Sequence, residues 1–234
     1  MITTSQEKSA LIIGASRGLG LGMAAAYVAR GWHVRATARG TTRTGLHDLA
    51  ESADGRLTVE ENVDITVPRQ LAALHERVAG TAFDLLFVNA GISNGDVPIA
   101  DVSTESFHHV MVTNALSPVR VVETFQDVVT PAGTIGVMSS RQGSVTLNTN
   151  GGYEVYRASK SALNQLMRGY AARHADDPRT LLLISPGWVR TELAGPNAPL
   201  TIEESVPGVL DTIAKHDGVG GLHFVDHQCQ TVPW

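Results

Sequence analysis

Tyr156 and Lys160 stand four residues apart, in Tyr156-Arg157-Ala158-Ser159-Lys160, inside a segment of helical period. That spacing puts a phenol and an ammonium on one helix face. A free tyrosine titrates near pH ~10 and is a poor acid or base at neutrality. An ammonium beside it favours the phenolate and lowers that value. A phenol tuned in this way can protonate a carbonyl oxygen or deprotonate an alcohol. Taken alone the spacing says little, because Tyr and Lys on a solvated helix face is the commoner arrangement.

A second set of residues suits a phosphate. Gly14-Ala15-Ser16-Arg17-Gly18-Leu19-Gly20 follows an apolar strand and opens a helix. Gly14 permits the tight turn, Gly18 lets the backbone approach a pyrophosphate, and Gly20 lets the helix pack close; the helix N-terminus favours negative charge. The same stretch also satisfies G-x-S-x-G, the nucleophile elbow of α/β-hydrolases, with His223 or His227 as the later base. That fold needs an earlier loop to supply an oxyanion donor, and only 13 residues precede Gly14. The dinucleotide reading is therefore preferred and the hydrolase is a remote alternative. The second strand ends Ala36-Thr37-Ala38-Arg39, without the acid that would bond a ribose 2′-hydroxyl. Arg39 and Arg17 can instead grip a 2′-phosphate bidentately, which points to NADP(H).

These groups need strands and helices to bring them together. Short apolar runs at 10–13, 32–38, 56–61, 83–88, 134–138 and 181–184 read as strands, and the stretch around His223 as a last strand and tail. Helical period marks 18–30, 104–128, 153–175 and 202–215, with Pro118 set to kink or break the second of these. Alternating strands and helices predict a mostly parallel sheet of about seven strands, covered on both faces. Ligands bind at the carboxyl ends of such strands. The polar clusters Asn89-Ala90-Gly91, Ser139-Ser140 and Pro186-Gly187-Trp188-Val189-Arg190-Thr191 fall there, beside the glycine turn.

Composition sets the outer limits. The chain has 234 residues, 43% hydrophobic and 18% charged, with a formal charge of −5, which opposes a general nucleic-acid or anionic-membrane surface. Its one cysteine, Cys229, excludes an intramolecular disulfide and a C-x-x-C motif. The opening MITTSQEKSA does not read as a secretory signal, and no run of 18 apolar residues predicts a membrane span, so a soluble cytoplasmic protein is expected. No internal repeat or long linker divides the chain. One domain over 1–234 is expected, with a nucleotide-binding half at about 1–90 and a catalytic and substrate half at about 91–234.

Gly14-x-x-x-Gly18-x-Gly20, Asn89-Ala90-Gly91, Asn114, Ser140, Tyr156-x-x-x-Lys160 and Pro186-Gly187 occur in the order typical of short-chain dehydrogenases/reductases, and the chain resembles that family over nearly its whole length. The resemblance implies an α/β, single Rossmann-like doubly wound domain. It also implies an NADPH-dependent oxidoreductase that reduces a ketone or aldehyde to an alcohol, or runs the reverse. Ser140 would hold the substrate carbonyl, Tyr156 would be the general acid/base, and Lys160 would bond the nicotinamide ribose and, with the positive charge of an oxidised nicotinamide, depress the tyrosine pKa. Asn114 would hold a water in a proton relay to Lys160. Asp64, followed by Ile65, resembles the residue that meets the adenine ring, and Asn89 the one that steadies the central strands. Ser16, Leu19, Ala90 and Gly91 fall in the cofactor-binding motifs, and Val189 and Thr191 would contact the carboxamide. A homodimer or homotetramer is implied, with helices 104–128 and 153–175 as candidate contacts.

Ser140 precedes Tyr156 by 16 residues, a longer interval than in most of the family. With Gly151-Gly152-Tyr153 and the closing Pro233-Trp234, it resembles the branch of C-factor signalling proteins and Sniffer-like carbonyl reductases. Ser144 is the competing serine. That branch keeps open a second reading, a non-catalytic dinucleotide-binding signalling protein on the same fold. His223, His227 and Cys229 lack a fourth ligand for a closed zinc site, so no metal is expected. His108 and His109 read as solvent-facing or packed, and Trp188 as either core or pocket wall. Segment 192–201 reads as a short substrate lid over an open pocket for small or medium carbonyl compounds.

Overall fold

The computed structural model describes residues 7–234. Its strands are β1 (Ser9–Ile13), β2 (His33–Thr37), β3 (Leu57–Glu60), β4 (Phe83–Val88), β5 (Val129–Met138), β6 (Thr180–Ser185) and β7 (Gly221–Asp226). They form one sheet in the order β3-β2-β1-β4-β5-β6-β7 with every neighbouring pair parallel. Strand order reverses between β1 and β4, and a doubly wound sheet opens its ligand crevice at that place.

The helices are α1 (Gly18–Ala29), α2 (Gly45–Glu51), α3 (Pro68–Val78), α4 (Thr104–Met111), α5 (Ser117–Phe125), α6 (Glu154–Arg173) and α7 (Ile202–Lys215). The two-residue period of a strand sends alternate side chains to opposite faces. Leu11 and Ile13 of β1, with Leu86 and Val88 of β4, meet Val121, Val122 and Phe125 of α5 and Leu163 and Met167 of α6. Ala10, Ile12, Leu85 and Phe87 point the other way, to Met23 and Tyr27 of α1 and Val206, Val209 and Leu210 of α7. Burial on both faces explains why 83–88 is apolar throughout except for Asp84.

Helices α2 and α3 were not expected from sequence. Strand β5 begins at Val129 rather than near 134, with a register shift against β4 after Phe83. The path from 104 to 125 is not a simple helix with a proline kink. A π-helical turn, Val112–Leu116, joins α4 to α5, and Pro118 sits in the first turn of α5. Proline has no N–H for the carbonyl four residues back, which here belongs to Asn114, so the register loosens at that residue.

Candidate active site

The glycine turn is fixed by two neighbouring strand ends. Gly14 N–H donates to Thr37 Oγ1 at 2.8 Å, and Asn89 Nδ2 donates to Gly14 O at 2.8 Å. Gly14 has φ +84°, and a Cβ there would lie 2.9 Å from Ala90. A Cβ on Gly20 would meet Gly14 O at 2.2 Å, so α1 can approach the turn only because residue 20 lacks a side chain. Gly18 differs: at φ +60° its nearest neighbour would be Thr191 Cγ2 at 3.8 Å, leaving open space over the turn. Arg17, the residue before α1, makes no side-chain cap, and the first turn carries no acid. Its free amide donors face an open cradle, which suits a pyrophosphate.

Arg39 is exposed just beyond β2, as a contact to a ribose phosphate requires. Arg17 is not idle. Its guanidinium pairs at 2.9 Å with Glu192, on the segment between β6 and α7. Both side chains are exposed, so the pair contributes at most about 1 kcal/mol and a phosphate dianion can displace it. Asp64 is partly buried, and its Oδ1 accepts from Thr66 N–H at 2.8 Å and Thr66 Oγ1 at 2.6 Å. Ile65 is buried in the core.

Ser140 lies just past β5, where its Oγ accepts from Gln142 N–H at 3.1 Å. Tyr156 and Lys160 lie in the first half of α6, Tyr156 partly buried and Lys160 almost wholly so. Lys160 Nζ donates to Met138 O at 2.9 Å and sits 5.8 Å from the Tyr156 ring centroid. Burial governs both groups: it pushes the Tyr156 phenol up to about 12, opposed by its hydrogen bond with Ser140, and brings Lys160 down to about 8. The expected lowering of the phenol also counted on the positive charge of an oxidised nicotinamide, and in the chain by itself burial is the larger influence.

Asn114 is fully buried in the π turn. Its Nδ2 donates to Ile92 O at 2.8 Å and Ser159 Oγ at 3.0 Å, and its Oδ1 accepts from Ile92 N–H at 2.8 Å. The side chain is thus a clamp between the loop after β4 and α6. Ser159, which sequence reasoning passed over, passes the contact on by donating to Tyr156 O at 2.7 Å. Asn164, also missed, accepts from Ser139 Oγ at 2.7 Å. It stands one helical turn after Lys160, and that spacing was the available signal. The start of α6 is set by Tyr153, left-handed at φ 49°, whose N–H donates to Asp96 Oδ1 at 2.7 Å.

Pro186 O accepts from Ser205 Oγ at 2.7 Å, and Gly187 takes φ +86°. Bridges Val189–Leu200 and Thr191–Gly195 fold segment 188–200 back on itself. The segment read as a lid is therefore tied at both ends. Trp188 is 56% exposed, which favours a pocket wall over core. Ser144 is fully buried, with its hydroxyl turned to Trp234 O at 3.3 Å. The geometry leaves Ser140 as the serine beside Tyr156. His108 and His109 are exposed, and no group of three or more metal-ligating side chains occurs among the described residues. A hollow of about 670 Å³ lined by His75, Glu123, Asp127 and Arg179 lies near the amino ends of β5 and β6, away from this constellation. Among the described residues no helix is long and apolar enough to cross a membrane.

Residues 14–205 match a family model described as enoyl-(acyl carrier protein) reductase. C-signal of Myxococcus xanthus is 35% identical over 156 residues, 64% of this chain and 92% of that protein. A Burkholderia multivorans structure with bound NADP superposes with a TM-score of 0.95 at 51% identity, covering 98% of this chain and 100% of the other. A carbonyl reductase from Pseudomonas aeruginosa in complex with NADP gives 0.90 at 37% identity, covering 98% and 100%. With these likenesses spanning nearly the whole sheet and the Ser140–Tyr156–Lys160 cluster at its carboxyl edge, the chain belongs to the short-chain dehydrogenase/reductase family.

Proposed function

We propose that this chain is an NADPH-dependent carbonyl reductase. The observation that carries the reading is the meeting of Ser140, Tyr156 and Lys160 beside an open glycine turn, with Arg17 in that turn and Arg39, rather than an acid, just past β2. The Burkholderia and Pseudomonas neighbours, crystallised with NADP, support the cofactor, and the Pseudomonas protein supports the reaction. Gly14, Ser16, Arg17, Gly18, Leu19, Gly20, Arg39, Asp64, Ile65, Asn89, Ala90, Gly91, Tyr156, Lys160, Pro186, Gly187, Val189 and Thr191 would hold the dinucleotide. When bound, it supplies hydride to the carbonyl carbon.

The protein's share is orientation and proton transfer. Ser140 donates a hydrogen bond to the carbonyl oxygen, and Tyr156 delivers the proton that converts it to a hydroxyl. Burial keeps the Tyr156 phenol protonated at neutral pH, so the proton is on hand, and positive charge brought by an oxidised nicotinamide would ease its release. Lys160 is still mostly protonated at pH 7 and can resupply that proton. A Cβ on Gly91 would lie 3.4 Å from Asn114 Oδ1 and 3.5 Å from Lys160 Nζ, so Gly91 stands next to both residues of the expected relay. Val145 and Tyr153 of the stretch before α6, and Trp188 and Leu193 of the segment after β6, are exposed, and such apolar surface fits an open pocket for small or medium carbonyls. Phe107, Leu116 and Leu166, exposed on α4, the π turn and α6, fit a face between copies, and light scattering that finds a monomer removes that part.

A screen of aldehydes and ketones at saturating NADPH is expected to show NADPH consumption, and silence across the panel overturns the reading. The likeness to C-signal favours a second one, a dinucleotide-binding signalling protein that does not need Tyr156. It gains ground if Tyr156→Phe leaves biological activity intact.

A further inference from the structure

Between Ser140 and α6 the chain runs through residues 141–153 with one short helical turn, Arg141–Gly143. A loop of that kind must be pinned by contacts, or the serine shares its freedom. One return segment supplies the pins. After β7 the chain reverses: Asp226 Oδ1 accepts from the amides of Gln228 and Gln230 at 3.0 Å each, and Thr231 pairs antiparallel with Val225. Val232 is fully buried and donates to Phe224 O at 2.8 Å. The Trp234 ring then lies 5.4 Å from Phe224 and 4.6 Å from the Arg168 guanidinium of α6.

Both ends of 141–146 attach to this segment. The other oxygen of Asp226 takes Arg141 Nη1 at 3.3 Å, and Trp234 O accepts from Thr146 Oγ1 at 2.7 Å, Thr146 N–H at 3.2 Å and Ser144 Oγ at 3.3 Å. Between them the loop backbone touches α6, since a Cβ on Gly143 would lie 2.9 Å from Lys160 Cβ. We propose that residues 226–234 form a strap that positions Ser140 against Tyr156, with Trp234 and Thr146 as positioning residues. The proposal rests on Ser140 as the residue that holds the substrate carbonyl.

The test uses Trp234→Ala, Thr146→Val and the conservative Trp234→Phe. Amide exchange in peptides covering 141–150 is expected to quicken in the first two and to stay near wild type in Trp234→Phe. NADPH binding should stay within about twofold, while kcat for a carbonyl falls about tenfold or more with KM little changed, as a misplaced group at the reacting centre would produce. In a Ser140→Ala background, Trp234→Ala should add no further loss in kcat, because both changes act through one hydroxyl. Unchanged exchange, or a full additional loss in the Ser140→Ala background, overturns the proposal. A wild-type chain that turns over no carbonyl defeats the reading of function, and the exchange measurement still decides whether the strap holds the loop.

Discussion

Asn114 Nδ2 donates to Ser159 Oγ at 3.0 Å, which bolts the π turn before Pro118 to the helix that carries Tyr156 and Lys160. The same side chain makes two bonds to Ile92, so three segments meet on one buried amide. Loops at the carboxyl ends of strands are ordinarily mobile, and this amide ties the one after β4 to the helix that carries Tyr156 and Lys160.

Asn114→Ala leaves the partly buried Ile92 amide and carbonyl without their partner, while the Ser159 hydroxyl keeps its bond to Tyr156 O. Each unsatisfied group costs about 1–3 kcal/mol. The variant is expected to unfold at lower urea and to lose activity more than Ser159→Ala does, which denaturation and steady-state rates will show.

Arg39→Asp is expected to weaken NADPH about 10- to 100-fold, the value of one charge-assisted contact, and to leave NADH binding no weaker. Glu192→Gln releases Arg17 from its ion pair and should tighten NADPH by a few-fold at most, because an exposed pair is worth ~0.2–1 kcal/mol. Nicotinamide fluorescence titrations read both.

Lys160 makes a stability prediction with a definite sign. Its value in the folded chain, about 8, lies below the ordinary 10.5, so between those two the unfolded chain binds more protons. Stability therefore rises with pH across that interval. Urea midpoints should climb from pH 8 to 10 in wild type relative to Lys160→Met, which lacks the titrating group. Parallel pH dependences would show that Lys160 keeps its ordinary value.

The parts that sequence made legible are those where local pattern and tertiary role coincide. Phe83–Val88 was found to the residue because a strand buried on both faces must be apolar. The glycine turn was readable because each glycine answers a separate steric demand. Helix α3 carries Leu71, Leu74 and Val78 on one face behind a first-turn proline, a pattern that was present and passed over. Helix α2 has seven residues with only Leu46 buried, too little for a periodic signal. The Tyr156–Lys160 spacing put both on one face but carried no information on burial, which pushes the phenol up and the ammonium down. Glu192 facing Arg17, and Trp234 facing Thr146, come from distant chain segments and exist only once the sheet has formed.

The central claim is that Tyr156 donates the proton while NADPH reduces a carbonyl. The direct measurement is single-turnover oxidation of bound NADPH by an accepted aldehyde or ketone, in wild type and in Tyr156→Phe. The expected result is oxidation in wild type and a rate at least about 100-fold lower in Tyr156→Phe, with NADPH affinity unchanged. Equal rates in the two proteins would contradict it.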